Sequence, residues 1–226
     1  MDKKRKIYTA VIGDIRNSRA ITSREGIQQE LHNVLKEINE KYKDTISANF
    51  LITLGDEFQG LLSKPDKVLE IMRFIENRLY PVKIRFGVGM GEITTSINRE
   101  MALGADGPAY YAARAAITEV KNKERKNNTL TNIRFAAMNV NINLEQINLI
   151  CDVLRILEKK WTTKQAETIK NMEEYGGNQK ECAERLKINQ SNVSRRLEDS
   201  GYNTYKQLIK MAEKSIEEIS KNPCFQ

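Results

Sequence analysis

Residues 46–63, ISANFLITLGDEFQGLLS, decide how the chain folds. Apolar and β-branched residues run up to Leu54, Gly55-Asp56 follows, and a second apolar run leads from Phe58 to Leu62. Gly-Asp between two such runs is a turn signal, so the stretch predicts two antiparallel strands folded back at Gly55 and Asp56. Two adjacent carboxylates, Asp56 and Glu57, then stand at the tip. They belong either to an ordinary hairpin or to the edge of a metal-bound phosphate site.

The segments around the hairpin alternate in period. KIYTAVIGD (6–14) reads as a strand closed by Asp14. SREGIQQELHNVLKEINEKY (23–42) places Ile27, Leu31, Val34, Leu35 and Ile38 at helical spacing, with Ser23 as N-cap. PDKVLEIMRFIENRLY (65–80) is a second amphipathic helix with Pro65 expected in its first turn. VKIRFGVGMGEI (82–93) is a strand, GPAYYAARAAITEVKNKERK (107–126) an Ala-rich helix, and TNIRFAA (131–137) a last strand. The order β-α-β-β-α-β-α-β predicts an α+β protein. Its core is a ferredoxin-like βαββαβ sheet with one added helix and strand.

From Leu144 onward the pattern is helical throughout, and the polar NVNIN (139–143) marks a boundary. The expected division is a sheet domain over 1–140 and an all-α domain over 141–226.

Composition narrows the classes of function. The 226 residues are 40% hydrophobic and 30% charged, enough for a packed core. No run of about 18 apolar residues is present, which predicts no spanning helix and no membrane partner. The basic start lacks a cleavage signal, so the expectation is a cytoplasmic protein. Cys151, Cys182 and Cys224 are far apart without a CxxC, which points to structural thiols rather than zinc ligands. A single histidine, His32, argues against catalysis built on a histidine base. The formal charge of +7 divides into +5 over residues 1–150 and +2 over 151–226. A nucleic-acid reading must therefore rest on a motif rather than on bulk charge.

In a βαββαβ sheet the first strand is expected beside the hairpin strand that follows the first helix, bringing Asp14 and Asp56 to one end. The turn after Asp14, with Ser18, offers backbone N–H groups and a hydroxyl to phosphate oxygens. Two aspartates beside such a turn suit Mg²⁺ or Mn²⁺ carrying a nucleotide, since Mg²⁺ takes one or two carboxylates and fills its octahedron with water and phosphate oxygens. Gly87, Gly89 and Gly91 mark either a ligand's approach or close packing of the third helix.

Four blocks in order, VIGDIRNSR (11–19), ITLGDEFQGLL (52–62), IRFGVGMGEI (84–93) and GADGPAYYAARAA (104–116), resemble the SatD family. At greater distance they resemble class III nucleotide cyclases and GGDEF diguanylate cyclases. The resemblance implies Asp14 and Asp56 as metal ligands, Arg114 as the transition-state arginine, and Glu57 as the acidic residue of the GGDEF signature. Gly55 keeps the second glycine of that signature, and Leu54 replaces the first. The lysine that reads the base is replaced by Ile52, and the asparagine that orients the ribose by Tyr110. Tyr110 either stacks on a base or fills core space. The metal-phosphate half of a cyclase site is thus retained and the base-ribose half is not. Cyclases of this type build their site between two chains, so the resemblance also implies a homodimer.

NQKECAERLKINQSNVSRRLEDSGY (178–202) carries a helix-turn-helix pattern over 178–199. Ala183 is expected at the helix crossing, and Lys187 stands where glycine is usual. The second helix presents Gln190, Ser191, Asn192, Ser194, Arg195 and Arg196, residue types that bond base edges or phosphates in DNA. WTTKQAETIKNMEEY (161–175) resembles the lead-in helix of sigma-factor region four. Three readings follow. One is a ligand-responsive, DNA-binding regulator of SatD type. Another is a nucleotidyl cyclase or nucleotidyltransferase making a signalling nucleotide. A partner-binding helical bundle beside an inactive palm is the third.

Overall fold

The computed structural model describes residues 6–16, 24–100, 102, 104–126, 131–176 and 178–225. Ser18 and Ser23 lie outside them. The sheet region runs β1 (Ile7–Ile15), α1 (Arg24–Lys41), β2 (Ile46–Leu54), β3 (Glu57–Leu62), α2 (Val68–Arg78), β4 (Ile84–Glu92), α3 (Pro108–Arg125) and β5 (Ile133–Ala137). The helical region follows as α4 (Glu145–Lys160), α5 (Thr163–Tyr175), α6 (Gln179–Leu186), α7 (Gln190–Asp199) and α8 (Tyr202–Ser220). The second helix starts three residues later than Pro65. Lys67 is its N-cap, and the Val68 N–H donates to the Pro65 carbonyl.

The sheet order is β2-β3-β1-β4-β5, with β5 parallel to β4 and every other pair antiparallel. This is the ferredoxin-like βαββαβ arrangement with one strand added. One neighbour differs from expectation. The first strand lies beside β3, the second strand of the hairpin, and β2 takes the edge. A split β-α-β crossover leaves a gap between β1 and β2 that the returning hairpin strand fills.

The two faces of the sheet follow from strand period. Val11, Ile15, Phe58, Leu62, Phe86 and Val88 pack with α1 and α2 in the large core, where Phe58 and Phe86 meet edge to face at 6.1 Å. Ala10, Ile12 and Leu61 face α3 through Ala109, Ala113 and Ile117. Each edge strand is met at one residue by an asparagine side chain that bonds as a neighbouring strand would. Asn39 of α1 bonds the N–H and C=O of Phe50 at 2.8 and 2.9 Å. Asn148 of α4 bonds those of Phe135 at 2.8 and 2.9 Å.

The helices after Leu144 do not all stand apart from the sheet. Ile147 and Ile150 of α4 join the large core with Ala212 and Ile216 of α8. A second core forms where Ile169, Cys182, Ala183, Val193, Leu197 and Tyr205 meet. Among the described residues no helix is long and apolar enough to cross a membrane. Cys151, Cys182 and Cys224 are free thiols, and burial pushes Cys151 up to about 12.

Candidate phosphate site and the α6–α7 surface

Asp14 is paired in register with Glu57 on β3 and with Arg85 on β4. Directly opposed strand residues share a face, so all three point toward α3. That helix supplies Arg114, Lys121 and Glu124 on one side, at a spacing of seven and then three residues.

The resulting contacts form a chain of ion pairs. Arg85 Nη1 donates to Asp14 Oδ2 at 2.5 Å, and Lys121 Nζ donates to Oδ1 at 3.0 Å. Arg114 Nη1 donates to Glu57 Oε2 at 2.6 Å. Glu124 accepts from both Arg85 and Arg16. Burial lowers the Arg16 pKa, with the charge of Glu124 opposing it. The carboxylates are well covered, the Asp14 side chain being 14% exposed, whereas Arg114 is 50% exposed.

Asp56 follows Gly55, whose φ of +65° makes the turn. The Ile15 N–H donates to the Asp56 carbonyl at 3.3 Å, and Gln28 of α1 donates to the Gly55 carbonyl at 2.8 Å. The hairpin tip is therefore tied to the end of β1, and Asp14, Asp56 and Glu57 gather at one end of the sheet.

Two sequence ambiguities resolve on geometry. A Cβ on Gly89 would stand 2.1 Å from the Ala109 carbonyl oxygen, and one on Gly87 would stand 2.3 Å from that of Ala113. These glycines let α3 lie on the strand. Tyr110 is 6% exposed among Ala10, Ile12 and Leu61, so its ring fills core space. Burial raises its pKa, and its hydroxyl has no hydrogen-bond partner among the described residues.

The expected Mg²⁺ or Mn²⁺ fits the donor chemistry, since carboxylate oxygens suit a hard dication. In this arrangement the Asp14 and Glu57 carboxylates are engaged by cations of the chain. Both Asp14 oxygens are taken by Arg85 and Lys121, and Arg114 holds Glu57. No group of three or more His, Cys, Asp or Glu placed to hold a metal occurs among the described residues. Arg114, implied to act across a dimer, bonds within its own chain.

In the helical region Asn178 caps α6, its side chain accepting from the N–H groups of Lys180 and Glu181 at 3.0 Å each. Thr162 and Gln165 form a reciprocal capping box at the start of α5. Lys187 ends α6 in the left-handed conformation, φ 53° and ψ 45°. On α7, Gln190, Ser191, Ser194 and Arg195 are exposed, while Val193 and Leu197 are buried. Arg195 donates to Asn192 at 3.3 Å. Arg196 turns back onto α5, donating to the Thr168 hydroxyl at 3.2 Å.

Sequence reasoning missed Arg85, Lys121, Glu124 and Arg16. The signal for Arg85 was present: it leads the alternation Arg85, Gly87, Gly89, Gly91 on the α3 face.

The SatD family model matches residues 8–216. No curated protein matches the chain. Among solved structures, the catalytic core of a rhodopsin-guanylyl cyclase with converted specificity, in complex with ATPαS, is 19% identical. The match covers 50% of this chain and 71% of that one, with a TM-score of 0.39. The guanylate cyclase domain of RhGC from Catenaria anguillulae, in complex with GTP, is 19% identical over 48% and 71%, with a TM-score of 0.36. A bacterial light-regulated adenylyl cyclase is 12% identical over 57% and 75%, with a TM-score of 0.40.

Proposed function

Since this chain belongs to the SatD family, we propose that its sheet region binds a nucleoside triphosphate at the Asp14–Glu57 end and processes it as a nucleotidyl cyclase or nucleotidyltransferase. The observation carrying this reading is the set of cations held by carboxylates: Arg85 and Lys121 on Asp14, and Arg114 on Glu57. A polyphosphate competes with the carboxylates for those cations, because charge-assisted bonds to phosphate match those to carboxylate. The exchange places Arg85, Lys121 and Arg114 against developing phosphate charge. It also releases Asp14 and Glu57 toward the ligand, where either can accept a hydroxyl proton. With Ile52 and Tyr110 in place of polar residues, the base is held loosely.

The test is incubation with each nucleoside triphosphate, with Mg²⁺, with Mn²⁺ and with chelator, the products being resolved by mass. A cyclic or transferred nucleotide supports the reading. No turnover of any triphosphate under any of the three conditions refutes the enzyme.

A second reading is favoured by one observation on α7. Gln190, Ser191, Ser194 and Arg195 are exposed together over a buried Val193 and Leu197. That pattern suits a recognition helix in a ligand-responsive DNA-binding regulator. Selection of a duplex from a random pool tests it, and recovery of no enriched sequence removes it.

A further inference from the structure

A cavity of about 130 Å³ lies where α2 and the start of β4 meet α4, α5 and α8. A smaller chamber of about 40 Å³ shares its Glu76, Asn132, Arg155, Glu158 and Tyr205. Neither is lined by Asp14, Asp56 or Glu57.

The charges around it are unevenly matched. Glu158 accepts from Arg155 and from the Tyr205 hydroxyl, each at 3.1 Å. Glu173 pairs with Arg73 at 2.7 Å. Glu76 accepts from the Asn132 side chain at 2.6 Å, and no cation lies within 4.0 Å of it among the described residues. Glu76 is partly buried and lines the cavity. Burial, then the charge of Glu158, pushes it up to about 7, against the Asn132 hydrogen bond and the more distant charges of Arg155 and Lys83. At the rim, Lys83 and Lys170 lie 5.7 and 5.1 Å from the Tyr80 ring centroid. Neither ammonium has a carboxylate within 4.0 Å among the described residues.

A carboxylate inside and two ammoniums at the mouth, none in a close ion pair among the described residues, are complementary to one kind of guest. We propose that this cavity binds a zwitterion of amino-acid size, its anionic group at Lys83 and Lys170 and its ammonium at Glu76. Size supports the class, because a cavity of roughly 150 Å³ accommodates benzene. A guest of about six to ten heavy atoms fits, and a nucleotide does not. Charge supports it too. A buried carboxylate without a cation is costly, and a ligand ammonium supplies the missing partner. The cavity walls come from both the sheet region and the helical region, so an occupant ties the two together. This inference does not rest on the nucleotide reading.

The experiment uses the full chain with glycine, β-alanine, γ-aminobutyrate, L-aspartate, L-glutamate and L-glutamine. Butyrate and butylamine serve as single-charge controls. Binding is read by calorimetry and by thermal shift. At least one zwitterion is expected to bind, with butyrate and butylamine about tenfold weaker or more. Lys83→Met with Lys170→Met, both at the rim, should lower its affinity at least about tenfold, as should Glu76→Gln. Asp14→Asn should leave that affinity unchanged, which separates this cavity from the phosphate site. Failure of every zwitterion to bind, equal binding of a single-charge control, or unchanged affinity in the rim variant overturns the proposal.

Discussion

Arg85 and Asp14 face each other across the β1–β4 register and bond at 2.5 Å, Nη1 to Oδ2. Lys121 takes the other Asp14 oxygen at 3.0 Å, so one largely covered carboxylate holds two cations. Asp14→Asn removes the charge and keeps the shape. Arg85 is left with Glu124, and Lys121 with no carboxylate in this network. Stability should fall by about 2 kcal/mol, the scale of a hydrogen bond to a charged group, as read by urea unfolding. Triphosphate binding should not weaken, because two cations are released toward phosphate. Lys121→Ala and Arg114→Ala should weaken it several-fold. If Asp14→Asn abolishes binding while Lys121→Ala does not, the cations are not what holds the ligand.

Gly89→Ala tests the contact that sets α3 on the sheet. The new Cβ meets the Ala109 carbonyl oxygen at 2.1 Å and the Ala113 nitrogen at 2.2 Å, both backbone atoms of α3. No side-chain rotation relieves this, so the helix must lift. The expected loss is about 3 kcal/mol, at the upper end of ordinary overpacking. Lifting α3 also displaces Lys121 and Arg114, so triphosphate binding should fall with stability. Wild-type stability in Gly89→Ala, measured by denaturation, would show that α3 packs elsewhere.

Period carried most of the fold in the sequence. Ile27, Leu31, Val34 and Ile38 marked α1, and Gly55-Asp56 marked the hairpin, because each signal is local. Asp14, Glu57 and Arg114 could be named as candidates for a similar reason, as chemistry-bearing residues at element ends or in quoted blocks. Arg85, Lys121 and Glu124 were not named: the alternation of Arg85 with Gly87, Gly89 and Gly91 marks its face, but ion pairs 39 to 107 residues apart in sequence leave no local sign of the partner. Register makes them legible: once β1 lies beside β4, Asp14 must meet Arg85. The cavity at Glu76 was invisible for the same reason. Its walls come from α2, α4, α5 and α8, and no short segment holds more than one corner of it.

Glu76 gives stability a pH dependence of known sign. Its folded value of about 7 lies above the ordinary 4.5, so the folded chain binds the extra proton between those limits. The resulting stabilisation is complete below about pH 4.5 and is lost as pH rises through 7. At about 1.4 kcal/mol per unit, the whole change is of order 3 kcal/mol. Glu76→Gln removes it. The variant should match wild type near pH 4.5 and exceed it at pH 8, by urea unfolding at both values. Equal stability of the two proteins at pH 8 would place Glu76 in a solvated environment.

Lys187→Gly addresses the turn between α6 and α7. Lys187 sits at φ 53° and ψ 45°, a conformation costing an L-residue about 1 kcal/mol that glycine adopts freely. Its side chain is exposed, so little packing is lost. The variant should gain roughly 0.5–1 kcal/mol in thermal or urea unfolding. A loss instead would mean that the turn relaxes to another conformation.

The two arginines of α7 separate DNA binding from folding. Arg195 is exposed and bonds Asn192 on its own helix at 3.3 Å, so Arg195→Ala removes surface charge and little else. If α7 contacts DNA, that change should weaken binding to a selected duplex by about 1–3 kcal/mol when Arg195 reads a base, with stability unchanged. Arg196 donates to Thr168 of α5 at 3.2 Å and is partly buried. Arg196→Ala should lower stability by about 1 kcal/mol and leave the exposed face of α7 intact. Filter binding at two salt concentrations, with urea unfolding of both variants, reads the pair. A selected duplex bound equally well by Arg195→Ala and wild type would assign recognition to another surface.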